Sequence, residues 1–173
     1  IGTTEKTGTR VTFLPDSQIF PSLVFEFDVL SQRLRELSFL NAGLRIKIAD
    51  ERSGKSHDFC YEGGIVSFVE HLNRTRAPLH RPPILLSGER SFVSGGKDVK
   101  VGIEIAIQYN ETYNESVYAF ANNINTVEGG SHLIGFRTAL TRTLNRYVAQ
   151  QSKNGKEPAE AISGDDTREG LTA

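Results

Sequence analysis

Residues 128–147 read EGGSHLIGFRTALTRTLNRY. After the Gly129-Gly130 pair, the pattern predicts a helix from about Ser131 to Gln150. On a period of 3.6 residues, one side of this helix collects the apolar residues Leu133, Phe136, Leu140, Leu144 and Tyr147. This side is therefore expected to pack against another part of the protein.

The opposite side of the same helix is basic. Arg142 and Arg146 are four residues apart and fall on that side, whereas Arg137 lies at the border of the apolar stripe. No acidic residue occurs between Glu128 and Glu157, although the whole chain has a formal net charge of -1. The run also holds Lys153 and Lys156. The helix is either a solvated surface helix or a surface that presents fixed positive charge to an anion.

Composition narrows the class of protein. The chain has 173 residues, of which 38% are hydrophobic and 24% charged, as is typical of a globular chain with one domain or parts of two. It has no methionine and begins at Ile1, which favours a fragment. A single cysteine, Cys60, excludes an internal disulfide and fits a reducing compartment. The sequence predicts neither a signal peptide nor a membrane span.

Local patterns predict an α+β fold with antiparallel hairpins and helices packed on one face. The expected elements before residue 75 are a strand at 9–14, a helix at 26–41, a hairpin of strands 44–48 and 56–61 with a turn at 50–55, and a helix at 65–72. Those after it are a strand at 83–87, a mobile loop at 91–97, a strand at 99–107, its antiparallel partner at 116–121, and a final helix or turn at 165–166.

Signals of catalysis are weak. The four histidines (His57, His71, His80 and His132) have no metal-ligand spacing, and His132 is expected to make a local hydrogen bond. Residues 128–132 lack the GK[ST] ending of a phosphate-binding loop. The pair Asp165-Asp166 is interpreted as capping a helix start rather than as a metal site.

Several blocks, in order along the chain, resemble the B-type subunit of bacterial type IIA DNA topoisomerases. These blocks are residues 6–9 (KTGT), 33–41 (RLRELSFLN), 61–64 (YEGG), 122–145 and 164–171 (GDDTREGL). The gyrase type is the nearest likeness, and the topoisomerase IV type is the alternative. Ser131 stands where the family usually has threonine, which keeps the hydroxyl.

The resemblance implies two partial domains. Residues 1–62 would be the C-terminal part of a GHKL-type ATPase domain. Residues 63–173 would be the first part of a transducer domain with a ribosomal protein S5 domain 2-like fold. The intact enzyme would use ATP and Mg²⁺ and relay nucleotide binding to DNA strand passage, whereas this chain alone would be inactive and would bind neither tightly.

The resemblance also implies site residues and partners. Thr9 would help to hold adenine through water, and Arg142, Arg146 and Arg137 would line a cavity for double-stranded DNA, unless Arg137 is structural and pairs with a carboxylate. The partners would be an A-type subunit in an A2B2 heterotetramer and a second B-type subunit, in the cytoplasm and without a membrane. The alternative of another class is a stand-alone nucleic-acid-binding module that uses helix 131–150.

Overall fold

The computed structural model describes residues 8–152 and 160–173. In chain order its elements are α1 (Phe27–Leu40), β1 (Ile46–Asp50), β2 (Lys55–Phe59), α2 (Gly64–Leu72), β3 (Ile84–Ser94), β4 (Lys97–Tyr109), β5 (Phe120–Ala121), β6 (Ile124–Asn125), α3 (Ser131–Ser152), a 3-10 turn (Asp166–Arg168) and β7 (Leu171–Thr172). The α+β prediction is confirmed, as are both early helices, the first hairpin and the long C-terminal helix.

Within residues 8–152 and 160–173, the strands form three small sheets. β1 and β2 make an antiparallel hairpin. β3, β4 and β7 make an antiparallel sheet in that order, and β5 pairs with β6. An aromatic core joins the first hairpin region to α2. Phe39 of α1 is 1% exposed, stacks on Tyr61 with 3.7 Å between ring centroids, and lies 5.2 Å from the ring of Phe68. Burial of these rings holds α1 against α2.

A polar cluster is buried where α2, β4 and β7 meet. It consists of four residues that are each 3% exposed or less: Asn73, Gln108, Asn110 and Thr172. Asn73 is its centre, since its Nδ2 donates to Gln108 at 2.8 Å and its Oδ1 accepts from Thr172 at 2.8 Å and from Asn110 at 3.2 Å. Among the described residues, no buried side-chain polar atom lacks a partner. The cluster therefore fixes β7 against β4 and α2.

The predicted mobile loop at 91–97 is wrong. β3 continues through Ser94 and pairs with β4 from Lys97 onward, so only Gly95 and Gly96 form the turn. Both glycines have positive φ, +57° and +75°, which is the conformation that a two-residue hairpin turn requires. Glycine and serine here mark a tight hairpin rather than a flexible connection.

The predicted pairing of strand 116–121 with β4 is also wrong. At the end of β4, the edge away from β3 is paired with β7, with Gln108 opposite Thr172 and Tyr109 opposite Leu171. Ser116 instead bridges to Thr172 in parallel, and Phe120–Ala121 pairs with Ile124–Asn125. A given residue on a strand edge bonds only one neighbouring strand. At Gln108 and Tyr109, where a returning strand would begin to pair with β4, that neighbour is the distant β7.

The predicted strand at 9–14 does not form. Residues 8–15 are irregular, and the apolar side chains Val11, Phe13 and Leu14 are 71% to 86% exposed. A strand needs a partner for its backbone groups, and the described residues provide none for this segment. The alternating pattern alone therefore does not make a strand here.

Candidate nucleic-acid interface

Helix α3 begins after a glycine that permits a sharp change of direction. Gly129 has φ +82°, and its N–H donates to the carbonyl of Thr126 at 2.8 Å. The Thr126 hydroxyl lies 3.2 Å from Nε2 of His132, which agrees with the predicted local role of that histidine. The start of α3 is thus held by the loop that precedes it.

One side of α3 contacts the segment that contains the 3-10 turn. Asn145 donates to the carbonyl of Ile162 at 2.9 Å and accepts from its N–H at 2.7 Å. Further along, the hydroxyls of Thr141 and Thr167 are 3.0 Å apart. The leucines and the phenylalanine of the predicted apolar stripe are half-buried, but Tyr147 is 59% exposed, so its prediction as a packed residue is wrong. It lies beyond the contacts that Asn145 makes.

The turn itself has a fixed position. The Tyr109 hydroxyl, at the end of β4, donates to the carbonyl of Thr167 at 2.7 Å, and burial raises the pKa of Tyr109. Asp166 and Ser163 cap the turn reciprocally, since each carries a side-chain oxygen that accepts from the other's backbone N–H. The interpretation of the acidic pair as a cap agrees with this contact of Asp166, whereas the carboxylate of Asp165 makes no cap hydrogen bond and contacts Arg168.

Arg142 and Arg146 are exposed on α3, as their spacing predicts. Within the described part of the chain, no carboxylate lies within ion-pair distance of either guanidinium. The acid-free character of the run therefore leaves two fixed positive charges facing outward. Lys153 and Lys156, which belong to the same run, lie outside the described residues.

Arg137 is held by a carboxylate. Its Nε and Nη2 both lie 2.9 Å from Oε1 of Glu115, and its side chain remains 41% exposed. The second oxygen of Glu115 lies 3.3 Å from Nε of Arg168, whose Nη2 contacts Asp165 at 2.6 Å. This ion pair is the structural contact anticipated for Arg137, and the remaining exposure leaves part of its guanidinium accessible.

Arg168 is a functional candidate that the sequence reasoning missed. A concavity of about 390 Å³ lies between α3 and the 3-10 turn, lined by Arg137, Thr138, Thr141, Arg142 and Arg168. Three of its five lining residues are arginines. In the sequence, Arg168 stands three residues after Asp165. That spacing predicts an ion pair with Asp165 but does not predict that Arg168 lies beside α3.

Thr9 lies far from these contacts along the chain, in the irregular segment 8–15. It is exposed, and its hydroxyl makes no hydrogen bond to another described residue. Its neighbours Lys6 and Thr7 lie outside the described residues. In residues 8–152 and 160–173, no group of three or more His, Cys, Asp or Glu side chains could hold a metal ion, and no helix has the length and apolar character to span a bilayer.

Solved structures with a similar fold are known, and the fold of this chain was compared with them. It aligns with the 43K ATPase domain of Thermus thermophilus gyrase B over 91% of this chain and 40% of that one, at 36% identity and a TM-score of 0.67. It aligns with the gyrase B-subunit of Myxococcus xanthus over 98% and 47%, at 28% identity and 0.73. The topoisomerase IV ATP-binding domain of Francisella tularensis has the same fold at 19% identity, over 91% and 39%, with a TM-score of 0.61. The chain thus has the fold of part of the region that these gyrase B and topoisomerase IV structures contain.

Sequence comparison is more specific. The family model described as DNA gyrase B matches residues 64–173. The whole chain is 54% identical to the DNA gyrase B protein of Halalkalibacterium halodurans and 52% identical to that of Myxococcus xanthus. The chain belongs to the DNA gyrase B family. It spans 26% and 20% of the lengths of these two relatives.

Proposed function

We propose that this chain is a segment of the ATP-hydrolysing subunit of a gyrase-like type II DNA topoisomerase, where it relays ATP binding and hydrolysis to DNA strand passage and supercoiling. The observation that supports this most is the identity of 54% over the entire chain with a gyrase B protein. The relay would be a two-state movement of domains that the bound nucleotide biases.

Within this proposal, residues 1–62 end the ATPase domain and residues 63–173 begin the transducer domain. Two features support the boundary. The family model starts at residue 64, and the β1–β2 hairpin shares no strand pairing with the β3–β4–β7 sheet. α1 and α2 pack across this boundary through Phe39 and Phe68, so their contact is where one domain would transmit a movement to the other.

The DNA surface of the segment would be the arginine face of α3. Arg142 and Arg146 are exposed and without a carboxylate partner among the described residues, and Arg137 keeps part of its guanidinium accessible beside Glu115. Arginines on a helix contact phosphates without reading sequence, and the affinity is sensitive to salt. A surface that must release its DNA after passage needs contacts of this kind.

The nucleotide site would lie largely outside this chain. Thr9 would contribute one water-mediated contact to adenine, and the intact cytoplasmic enzyme would use ATP with Mg²⁺ and assemble with an A-type subunit as A2B2. Calorimetric titration of the chain with a non-hydrolysable ATP analogue should therefore detect no tight binding. Micromolar affinity would contradict the placement of the nucleotide site.

The function is tested on the intact protein that contains this segment. Combined with a gyrase A-type subunit, it should introduce negative supercoils into relaxed plasmid only when ATP and Mg²⁺ are present. ATP-dependent relaxation or decatenation without supercoiling would instead identify the topoisomerase IV type. A protein that binds DNA but changes no topology would overturn the proposal in favour of a nucleic-acid-binding module.

A further inference from the structure

We propose that Arg168 completes a seat for one phosphodiester group of duplex DNA together with Arg137 and Arg142. This inference rests on the proposed function of α3 and extends it to a residue outside that helix. The seat is the concavity between α3 and the 3-10 turn, and these three arginines and two threonines line it.

The threonines of the concavity are already engaged. The hydroxyl of Thr138 donates to the carbonyl of Ile134 at 2.8 Å, and that of Thr141 lies 3.0 Å from the hydroxyl of Thr167. The guanidinium groups are therefore the groups left to bind a ligand. They favour an anion with several acceptor oxygens, which describes a phosphodiester.

Glu115 holds two of the arginines in place without using all their donors. It contacts Arg137 through Nε and Nη2 at 2.9 Å and Arg168 through Nε at 3.3 Å. A guanidinium carries five N–H donors, two of them on Nη1. No described residue accepts from Nη1 of either arginine. One carboxylate thus orients both guanidinium groups and leaves the Nη1 donors of each without an acceptor among the described residues.

The charge balance of the seat suits a monoanion. Arg137, Arg142 and Arg168 contribute three positive charges, and the contacting carboxylates of Glu115 and Asp165 contribute two negative ones, so one positive charge remains. The side chain of Asp165 is 95% exposed, so water screens its charge more than that of Glu115, which is 26% exposed. A phosphodiester carries a single negative charge and would neutralise the one remaining positive charge.

The position of Arg168 does not depend on DNA. Its side chain is only 17% exposed, and its neighbour Thr167 is bonded both to Tyr109 of β4 and to Thr141 of α3. Arg168 is therefore held beside α3 before any ligand arrives. Such pre-organisation lowers the entropy lost on binding.

The experiment measures binding of a short DNA duplex to the full chain by fluorescence anisotropy across a series of salt concentrations. The variants are Arg168→Gln, Arg168→Lys and Arg142→Gln. The control is Arg45→Gln, an arginine 65% exposed and distant from the seat along the chain. Circular dichroism checks that each variant is folded to the same extent.

We expect Arg168→Gln to reduce the slope of log affinity against log salt by about 0.9, as Arg142→Gln should, because either substitution removes the one net positive charge with which the seat neutralises a phosphate. Arg168→Lys should keep the wild-type slope, since it keeps the charge while disturbing the same ion pairs. Arg45→Gln should also keep it.

A wild-type slope in Arg168→Gln, with a reduced slope in Arg142→Gln, would overturn the seat and leave the DNA role of α3 intact. An equal loss of slope in Arg168→Gln and Arg168→Lys would also overturn it, because the effect would then be structural. Wild-type slopes in both Arg142→Gln and Arg168→Gln would overturn the DNA role of α3 together with the seat.

Discussion

The polar cluster of Asn73, Gln108, Asn110 and Thr172 differs from the arginine face of α3 in what its polar groups bond to. Every member of the cluster is 3% exposed or less and bonded to another part of the chain. Arg142 and Arg146, by contrast, are exposed and have no carboxylate partner among the described residues.

The difference separates structural polar groups from those available to a ligand. A buried amide without a partner costs free energy, so the cluster is a set of contacts that must all be made for β7 to stay in place. An exposed arginine loses little by having no partner, because water solvates it. Arg137 and Arg168 are intermediate, since Glu115 holds both and each keeps free donors.

The largest expected effect is on the cluster. Asn73→Ala should lower the free energy of unfolding by roughly 3 kcal/mol, because Gln108, Asn110 and Thr172 would each lose a buried hydrogen bond. Urea unfolding of the chain measures it. Asn114→Ala, an exposed asparagine, is the matched control and should stay within about 0.5 kcal/mol of wild type. Equal free energies of unfolding for Asn73→Ala and Asn114→Ala would show that the buried cluster contributes no more to stability than an exposed polar residue does.

An intermediate effect is expected for Arg137. Arg137→Gln should lower the free energy of unfolding by about 1 kcal/mol, since it loses a half-buried ion pair with Glu115. Arg142→Gln should change it by less than about 0.5 kcal/mol. A double-mutant cycle with Glu115→Gln isolates the pair. If the cycle shows no coupling free energy between Arg137 and Glu115, Arg137 belongs with the free arginines of α3 and is not intermediate between the arginine face and the buried cluster.

The smallest effect concerns an exposed ion pair of the first hairpin. The side chain of Arg52 hydrogen-bonds Asp50 and lowers the pKa of that carboxyl from 3.8 to about 2. Because the folded pKa is depressed, the contribution of Asp50 to stability is present above about pH 4 and is lost as the pH falls towards 2. Unfolding of the wild type and of Asp50→Asn should therefore converge over this range. A constant difference between them would show that the pair contributes nothing as an ion pair.

Local sequence signals predicted the elements that depend on local interactions. The helical period of α3 and the local patterns of α1 and β4 placed these elements correctly. The spacing of Arg142 and Arg146 placed both on the exposed side of α3. The errors concern pairing over long distances. Ser116 bonds to Thr172, because β7 is paired with β4 at Gln108 and Tyr109, and nothing near residue 116 indicates that competition.

The candidate site, too, depends on contacts between distant parts of the chain that local sequence patterns do not predict. A helical period identifies which side of α3 Arg142 occupies, but it does not bring in a residue from another segment. Arg168 reaches α3 because Tyr109 fixes the 3-10 turn and Glu115 bridges Arg168 to Arg137. These contacts join four separate parts of the chain, so only the folded structure assembles them.

The central claim is that the free arginines of α3 serve DNA while the bonded polar groups serve the fold. Its most direct test is the rate of DNA-stimulated ATP hydrolysis by the intact protein that carries Arg142→Gln or Arg146→Gln, with Arg45→Gln as the control and melting temperatures recorded for all. Both α3 variants should lose most of the stimulation by DNA at an unchanged melting temperature, while the control keeps it. Full stimulation in both variants, or a loss that follows a lowered melting temperature, would contradict the claim.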